Sequence, residues 1–511
     1  MKKLFALVLA LAAPLAAQQG RGSIQGTVTD ASGAVIAGAT VSIVNVETNT
    51  AFTTETSNDG YYTAPTLAVG NYAVTVEKQG FKRVVRTRIN LQVDQRAQVD
   101  VTLDVGAVAE SIEVQAEASL VDTGSASIGK VVENRRVVEL PLNGRNALAL
   151  TLLTPSVKSN AGPTNSGFGD RGIQLSSISI NGGPNAMNSQ LLDGGNNIQS
   201  YIGEVAINPG VDAVEEFKVQ SGAMSSEFGF TGGGVINMVT RSGTNTLHGT
   251  LYEFFRNDKL DARNTFSTIK PPFRYNQYGV SAGGPVVRDR TFIFGNWEQY
   301  NYRRSEPKIG SFPTASQRTG DFSDLLDTSG RLIPIYDPDT TAVNPNGTGF
   351  IRAPFPGNRI PSNRLDPVAL KVQENFYPLP NRTPTDRFTN ANNYSRLGSE
   401  IRDMKQLTVK VDHRFSSSNY LFGRFSSFQH LTDNGAGGTT IFPNDAVAKR
   451  DDDLKTKNFL LSDTHTFTPT TLNELRISVT RGAFPFVVRS FGEDWPSLAF
   501  CTFMQRLWPI L

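Results

Sequence analysis

The sequence predicts an all-β protein: a small β-sandwich, a glycine-rich middle segment and part of a transmembrane antiparallel β-barrel. Glycine (46 residues) and proline (27 residues) are abundant, whereas apolar residues at helical spacing are scarce. Many short segments alternate apolar and polar side chains, as half-buried strands do. After the N-terminus no segment has the ~18 continuous apolar residues of a membrane helix, so insertion into a bilayer must use strands.

Composition argues against several function classes. Lys and Arg total 49 and Asp and Glu total 47, so the chain offers no basic surface for nucleic acid. The one cysteine, Cys501, cannot form an internal disulfide. The four histidines lie far apart: His248, His413, His430 and His465. Without a ligand-spaced cluster or a nucleophile–base pair, the sequence predicts no metal site, no cofactor and no catalytic residues.

The N-terminus predicts export. Lys2 and Lys3 precede an apolar run from Leu4 to Leu15, and Ala16 and Ala17 offer a small-residue cleavage site. This pattern is typical of a secretory signal peptide, here residues 1–17. A membrane anchor is the weaker interpretation because the run is too short to span a bilayer as a helix.

Residues 22–104 are predicted to form a β-sandwich. Val41 and Ile43 lie on one face of a strand, and Tyr72, Val74 and Val76 lie on one face of another. The stretches GSIQGTVTDASGAVIAGATVSI and NDGYYTAPTLAVGNYAVTVEKQGF resemble the carboxypeptidase-regulatory-like domain. Its pattern is matched by Gly26, Gly33, Gly38, Gly60, Tyr61, Leu67, Gly70, Tyr72, Gly80 and Phe81. The resemblance implies an accessory domain without catalytic residues, either a binding or tethering module or a spacer.

Residues 105–118 are too few for a domain. Ile112 and Val114 alternate with Ser111 and Glu113, which predicts a strand that can add to the edge of another sheet. A last strand of the sandwich and a plain linker are the alternatives.

Residues 119–245 are dense in glycine and poor in periodicity. The phrase ELPLNGRNALALTLLTPSV predicts a short helix with Leu148, Leu152 and Leu153 on one side. Two short strands follow, at 177–180 and 234–240, joined by glycine turns. Gly232 to Gly234 lack the spacing of a phosphate loop, so these glycines are expected to permit turns with positive φ.

Three phrases of this segment resemble, in order, the plug domain of TonB-dependent receptors of the Oar-like branch. The principal matching residues are Asn143, Gly144, Arg145, Asn146, Asn181, Gly182, Leu192, Asp193, Gly194, Gly233 and Gly234. The resemblance implies a plug at 119–245 and the protein TonB as a partner. It also implies a TonB box, the segment that TonB binds, formed by Ser111, Ile112, Glu113, Val114, Gln115 and Ala116.

From residue 246 to 482 the sequence predicts the N-terminal part of an outer-membrane β-barrel. Seven long strands are expected: 247–256, 274–283, 291–303, 404–415, 419–429, 457–467 and 472–482. Their connections alternate between long and short, as large outer loops and tight periplasmic turns do. A soluble β-sandwich is the alternative, but it gives no reason for such alternation.

The stretch QLTVKVDHRF predicts how these strands face. Leu407, Val409 and Val411 are expected to meet lipid, and Lys410 and Asp412 a hydrated lumen, because a charge at the bilayer midplane costs about 2–4 kcal/mol. Aromatic residues near strand ends are expected to form an interfacial belt: Tyr252, Phe254, Phe255, Trp297, Tyr300 and Tyr302.

Three further segments lie outside the expected strands. The proline-rich loop 304–403 is predicted to face substrate outside the cell, and residues 449–453 (KRDDD) to be a solvated loop tip. Residues 483–511 lose alternation. Seven strands cannot enclose a plug, whereas family barrels have about 22. An atypical tail is therefore expected, from truncation or a frameshift.

The resemblance implies active uptake across the outer membrane of a Gram-negative-type bacterium. Ligand would bind the outer loops and the plug, and TonB would then pull the TonB box to rearrange the plug. Siderophore, oligosaccharide and peptide all remain open as ligands. The alternative is a non-transporting surface protein that binds carbohydrate or another cell through the sandwich and loops. A secreted hydrolase would need a catalytic constellation that the sequence does not offer.

Overall fold

A computed structural model of the chain describes residues 21–106, 111–115, 128–140, 142–159, 178–184, 187–199, 204–224, 228–229, 231–267, 269–433, 441–443, 450–468 and 471–489. The predicted signal peptide, Pro141, Ala116 of the expected TonB box, Cys501 and the tail beyond residue 489 lie outside the described residues. Within the described part, no helix combines the length and the apolar character needed to cross a membrane.

Two packed sheets form the N-terminal sandwich. Its strands are β1 (Gly22–Asp30), β2 (Thr40–Asn45), β3 (Ala51–Glu55), β4 (Tyr61–Leu67), β5 (Gly70–Glu77), β6 (Arg83–Leu91), β7 (Arg96–Gln98), β8 (Val101–Leu103) and β9 (Ser111–Gln115). One sheet joins β4, β1, β7 and β8, and the other has the order β3-β2-β5-β6-β9. Val41, Ile43, Val74 and Val76 are buried in a core made only of sandwich residues, as their alternation predicts.

Residues 128–240, here called the middle unit, form a mixed sheet with short helices. The elements are β10 (Ile128–Glu133), α1 (Asn134–Glu139), β11 (Val157–Ser159), β12 (Ile178–Ile180), β13 (Ser189–Leu192), β14 (Gly195–Asn196), β15 (Ile198–Gln199), β16 (Glu204–Val205), β17 (Val214–Gly222) and β18 (Val235–Thr240). Short 3₁₀ turns occupy Asn143–Arg145, Ala147–Leu153 and Val211–Ala213. The main sheet has the order β10-β17-β18-β13-β14.

The helix predicted around Leu148 is a 3₁₀ helix, and its buried face differs from the prediction. Ala147, Leu148, Leu150 and Thr151 are buried, whereas Leu152 and Leu153 are 38% and 56% exposed. The expectation that Leu152 and Leu153 share a buried side with Leu148 is therefore wrong. The 3₁₀ winding repeats every three residues rather than every 3.6, so the side chains fall on different faces.

The C-terminal half is a meander of long antiparallel strands. Its strands are β19 (His248–Asn257), β20 (Phe273–Val287), β21 (Thr291–Gly310), β22 (Ala342–Val343), β23 (Phe350–Ile351), β24 (Tyr394–Ser416), β25 (Asn419–Thr432), β26 (Arg450–Thr468), β27 (Thr471–Ala483) and β28 (Phe486–Val488). All seven predicted long strands are present, paired in sequence order as one sheet. We call this the barrel sheet; β22 and β23 form a separate hairpin within the long loop.

Connections of the barrel sheet alternate between long and tight, as expected. Because β21 and β24 run further than predicted, the long loop narrows to 311–393; it contains α2 (Ala315–Arg318) and α3 (Pro367–Phe376). Shorter 3₁₀ turns occupy Asp258–Leu260, Pro338–Thr340, Pro356–Asn358 and Ser362–Arg364. The alternation of tight and long connections is the arrangement of an outer-membrane barrel.

Two boundary predictions are corrected by the pairing of β26 with β28. Arg450 to Asp453 begin β26 instead of forming a loop tip, and Asp452 is buried. Phe486–Val488 pairs with Arg450–Asp452, so the start of the expected tail continues the sheet. Arg450 to Asp453 are all charged, and the segment after residue 483 loses the alternation of apolar and polar residues. Neither segment therefore has the sequence pattern that predicts a strand.

The facing of β24 is confirmed. Lys410 and Asp412 are buried on one face, whereas Val411 on the other face is 40% exposed. On the inner face, Lys410 donates to Asp193 Oδ1 and to the Thr240 carbonyl oxygen of the middle unit.

The predicted aromatic belt is wrong for several of its members. Tyr252 contacts Arg145 of the middle unit, and Tyr300 is buried in the core shared with that unit. Phe255 and Trp297, by contrast, are exposed on the outer face. A residue's position near a strand end does not tell which face of the sheet its side chain lies on. Alternation along the strand does, and it places Tyr252 and Tyr300 on the inner face.

Candidate functional site

The inner face of the barrel sheet and the middle unit share one hydrophobic core. Tyr300, Met404 and Phe428 of the barrel sheet belong to the same buried cluster as Phe217 and Met238 of the middle unit. The middle unit therefore packs where the lumen of a barrel would lie. Two clusters of buried charge interrupt this apolar interface, and both contain residues of the predicted plug motifs.

The first cluster surrounds Asp193. Asp193 and Gly194 form the two-residue turn between β13 and β14, and both have positive φ (50° and 73°). An Asp-Gly pair favours this type I′ turn, which brings the carboxylate to the surface of the unit. The backbone N–H of Thr240 donates to Asp193 Oδ1 at 2.9 Å and the Thr240 hydroxyl donates to Oδ2 at 2.7 Å.

Three cationic side chains from the barrel sheet converge on this turn. Lys410 Nζ lies 3.3 Å from Asp193 Oδ1, and an Arg424 guanidinium nitrogen lies 3.2 Å from Oδ2. Arg476 donates to the carbonyl oxygen of Gly194 at 3.1 Å. Lys410, Arg424 and Arg476 come from β24, β25 and β27. The turn is thus the point at which several strands hold the middle unit.

The charge state of Asp193 follows from these contacts. Burial alone would raise the pKa of Asp193, but Lys410, Arg424 and the Thr240 hydrogen bonds together lower it below its ordinary value. The carboxylate is therefore ionised at neutral pH. Because its folded-state pKa is lowered, its contribution to stability is present above the unfolded pKa and is lost as pH falls through the folded one.

The second cluster surrounds Arg145 of the NGR motif. Its guanidinium pairs with Asp212 of the middle unit and lies 3.7 Å from Glu298 on β21. The guanidinium carbon also lies 4.4 Å from the ring centre of Tyr252 and 4.7 Å from that of Phe254. The planar guanidinium can stack on aromatic rings and pair with carboxylates at the same time, which the ammonium group of lysine does poorly.

Glu298 is itself held by the barrel sheet. The Tyr252 hydroxyl donates to Glu298 Oε2 at 2.5 Å, and Gln406 Nε2 donates to Oε1 at 2.6 Å. These two barrel-sheet side chains thus fix the orientation of the Glu298 carboxylate, which faces Arg145 of the middle unit. Arg145 and Asp193 thus anchor two separate points of the unit to different strands.

The remaining motif residues shape the middle unit internally. Asn146 caps its 3₁₀ helix by accepting from the N–H of Leu148, and the Asn181 side chain donates to the carbonyl of Ser221. Asn143 takes part by position in the Asn143–Arg145 turn. Leu192 is buried in the shared core. These residues support the two anchors and do not themselves reach the barrel sheet through the hydrogen bonds described.

The glycines of the motifs divide into two kinds. Gly144, Gly182 and Gly194 have positive φ, as expected of turn glycines. Gly233 and Gly234 lie outside the left-handed region and are needed for close approach instead. A Cβ at Gly233 would lie 2.2 Å from Asn188 Oδ1, and one at Gly234 would lie 2.6 Å from the Gln220 carbonyl oxygen. The prediction of positive φ is therefore wrong for Gly233 and Gly234.

The expected TonB box lies in the sandwich. Ser111 to Gln115 form β9, which pairs in parallel with β6 in the register Arg83–Ser111 to Thr87–Gln115. Of the interpretations left open, the strand at the edge of the sandwich is the one found in this conformation. Ile112, Glu113 and Val114 thus occupy the middle of an edge strand that is held by backbone pairing.

In the KRDDD segment, each of the three aspartates pairs with an arginine or a lysine. Arg450 pairs with Asp452, Arg489 with Asp451 and Lys455 with Asp453. Among the residues that the structure describes, no three His, Cys, Asp or Glu side chains converge as a metal site requires.

Sequence reasoning missed most of the residues that pair with Asp193 and Arg145 in the two clusters. Arg424, Arg476, Glu298 and Asp212 carry no recognisable motif. A signal for Arg424 exists, because it shares strand parity with Phe422, which is buried, so an inner position follows from alternation. Which residue it meets does not follow from any local pattern.

Family comparisons agree with this division of the chain. A model of the carboxypeptidase regulatory-like domain matches residues 23–104. A model of an outer membrane β-barrel domain matches residues 239–497, about half of the chain. The chain belongs to this outer membrane β-barrel family. Family membership gives its location as the bacterial outer membrane, with the barrel sheet as the membrane part.

A curated relative extends the comparison to the Oar-like branch. The TonB-dependent transporter Oar of Myxococcus xanthus is 27% identical over 255 residues, which is 48% of this chain and 23% of that protein. The resemblance to Oar-like TonB-dependent receptors is thereby confirmed. The chain spans less than a quarter of the length of this curated relative.

Two solved structures of outer-membrane proteins are similar to part of this chain at low identity. The outer membrane transporter YddB of Escherichia coli is 12% identical, with a TM-score of 0.41 over 69% of this chain and 38% of that chain. The siderophore receptor PirA of Acinetobacter baumannii is 14% identical, with a TM-score of 0.35 over 70% and 44%. The curated relative Oar is named as a transporter, which agrees with the prediction that the chain is not an enzyme.

Proposed function

We propose that this outer-membrane β-barrel protein is a TonB-dependent transporter, with residues 119–245 as its plug. The observation that carries the proposal is the pair of buried ionic anchors, Asp193 with Lys410 and Arg424, and Arg145 with Glu298. They hold a separate folded unit against the inner face of the barrel sheet, where it obstructs the lumen.

The chemistry of the anchors suits a plug that must be held and also be movable. Buried ion pairs lose strength sharply when one partner is displaced, because each charge then lacks compensation, and water entering the interface can restore that compensation. A purely apolar interface offers no such release. The anchors thus favour two discrete positions of the unit, closed and displaced.

The proposed partner on the periplasmic side is TonB, bound through residues 111–116. A strand at the edge of a sheet leaves one side of its backbone unpaired, which is the surface that strand addition uses. Pull on this segment would reach the plug through the chain that joins residue 116 to β10. Outside the cell, the partner is an unidentified ligand: a siderophore, an oligosaccharide or a peptide.

The test follows the exposure of the plug in living cells. Gln190, which is buried in the middle unit, is replaced in a Cys501→Ser background (Gln190→Cys), and cells are treated with an impermeant maleimide. Energised cells with TonB should label this position faster than cells without TonB. Replacing residues 111–116 with a Gly-Ser segment should abolish the difference, whereas labelling of the exposed loop variant Thr348→Cys should be the same in all cells.

The second candidate is a surface binding protein that does not transport. The pairing of β9 with β6 favours it, because the expected TonB box is part of a folded domain. This candidate predicts equal labelling of Gln190→Cys with and without TonB. That outcome would contradict the transporter proposal.

A further inference from the structure

The sandwich contacts the barrel sheet at a tight turn. Asn49 Nδ2 donates to Asp289 Oδ1 at 2.9 Å, and Asp289 lies in the turn between β20 and β21. Asn245 Nδ2 donates to the same oxygen at 2.7 Å, and the Asn245 N–H donates to the Glu47 carbonyl oxygen at 3.0 Å. Asp289 thus ties the sandwich, the segment before β19 and the barrel sheet at one point.

A neighbouring tight turn is held in the same way. The Arg414 guanidinium, near the end of β24, donates to the carbonyl oxygen of Ala51 in β3. Arg21, just before β1, stacks on the ring of Tyr420 at the start of β25, with 4.4 Å between the guanidinium carbon and the ring centre. Tight turns mark the periplasmic end of an outer-membrane barrel, so the sandwich docks at the end where a solute leaves.

The sandwich also covers the middle unit on its periplasmic side. Asn237 Nδ2 donates to Asp94 Oδ2 at 2.9 Å, and Lys218 Nζ donates to the Asp94 carbonyl oxygen at 3.1 Å. The Val93 N–H donates to the Glu216 carboxylate. One turn of the sandwich, residues 92–95, is therefore bonded to two strands of the middle unit while other parts of the domain hold the barrel turns.

A cavity of about 690 Å³ lies between these three parts. The sandwich contributes Tyr72 and Glu47, the middle unit Glu215 and Thr240, and the barrel sheet Asp412 and other polar residues. This volume lies within the range of small-molecule sites, roughly 300–1,000 Å³. Walls that carry both signs of charge and many hydroxyl and amide groups suit a polar, hydrogen-bonding solute.

The Asp193–Lys410 pair also lines this cavity. Displacing the plug at this anchor therefore opens directly into the cavity, and the sandwich still closes the far side. A solute that passes the plug would meet a second obstruction before it reaches the periplasm.

We propose that the sandwich is a second gate, in series with the plug, at the periplasmic exit, and that the cavity holds a polar solute between the two gates. This inference rests on the proposed transport function and adds a role for the sandwich. Two gates in series meet a physical need. When the plug is displaced, the lumen of a wide barrel would otherwise let other solutes leak across the membrane.

The test locks the sandwich to the barrel with a disulfide. Asn49→Cys and Asp289→Cys are combined in a Cys501→Ser background, at a pair of side chains that are in hydrogen-bond contact. The probe is vancomycin, which an intact outer membrane excludes. Vancomycin entry is measured in cells that carry one of two forms of this double-cysteine protein. In the first form, Asp193→Ala and Arg145→Ala weaken the plug. The second form lacks residues 128–240.

A second gate predicts that the weakened or plugless protein with reduced cysteines, which lacks the Asn49–Asp289 hydrogen bond, admits vancomycin. It also predicts that the oxidised disulfide reduces entry severalfold and that a reductant restores it. Neither single-cysteine variant should respond to oxidation. Equal entry with the disulfide formed, as judged on a non-reducing gel, would overturn the second gate and leave the transporter proposal intact. A plugless protein with reduced cysteines that inserts with heat-modifiable mobility and admits no vancomycin would overturn the transporter proposal and the second gate together.

Discussion

Asp193 is the residue on which the position of the middle unit depends most. Its carboxylate compensates Lys410 and Arg424, which are both buried, and it also accepts two hydrogen bonds from Thr240. Asp193→Asn keeps the shape of the side chain but leaves the two cations uncompensated. We expect a loss of about 3–5 kcal/mol in the free energy of unfolding, measured by urea titration of the detergent-solubilised protein.

Asp327→Asn is the matched control for this prediction. Asp327 pairs with Arg331 in the long loop, where the arginine side chain is 81% exposed, so removing this charge should destabilise the protein far less than Asp193→Asn does. If both variants unfold at the same urea concentration, Asp193 is not an anchor.

At this scale the sequence singled out the central middle-unit residue of each cluster but not the residue it pairs with. Asp193 and Arg145 stand in recognisable phrases, and an Asp-Gly pair has a local preference for one turn type. Lys410 is 217 residues away from Asp193. Parity predicts that Lys410 faces inward, but no local pattern specifies which carboxylate it meets.

Among the elements, the contact between the turn at residues 92–95 and strand β17 depends on pH. Burial raises the pKa of Glu216 to about 8, although the hydrogen bond from the Val93 N–H lowers it; Glu215, Glu133 and Asp94 raise it further. The folded state therefore holds a proton that the unfolded chain releases near its ordinary glutamate pKa. Stability is highest below that ordinary value and declines as pH rises towards about 8.

Glu216→Gln should remove this decline because the amide stays neutral. We expect the urea midpoint of the unmodified protein to fall between pH 5.5 and pH 8.5, and that of Glu216→Gln to change less. Glu374→Gln, on the exposed face of α3, serves as the control and should retain the decline. A decline of equal size in Glu216→Gln would show that another group is responsible.

Element by element, alternation was the reliable guide and position was not. It predicted all seven long strands and the facing of β24, where polar inner residues alternate with apolar outer ones from Gln406 to Val411. Proximity to strand ends misplaced Tyr252 and Tyr300, which pack inward. The partner of β9 was not predictable, since backbone pairing carries little side-chain signature.

For the whole molecule, the decisive property is that the outer face of the barrel sheet meets lipid. Val409 lies on that face near the tight-turn end of β24. Val409→Arg should cost about 2–4 kcal/mol if it lies near the bilayer midplane. The measurement is the free energy of unfolding from lipid vesicles.

Leu397→Arg provides the control on the same strand and the same face. Leu397 lies twelve residues nearer the long loop than Val409, where the strand has passed beyond the membrane, so its substitution should be close to neutral. Equal costs at the two positions would mean that β24 does not cross a bilayer in this register.

The assembly of the three parts was the least predictable feature. Domain boundaries followed from changes in composition and from turn signals. The contact of Asn49 with Asp289 joins residues 240 positions apart through two polar side chains on exposed loops. Such a contact depends on how complete domains meet, and neither periodicity nor a motif encodes it.

Strand β24 has 23 residues, and at about 3.3 Å per residue it measures roughly 75 Å along its axis. Even at a tilt of about 40°, it rises well beyond an apolar band of about 25 Å. With β21 it forms a long two-stranded extension, here called the mast, that holds the long loop away from the cell surface. A bulky particle approaching the bacterium would touch the tip of this mast before it could reach the lipid headgroups.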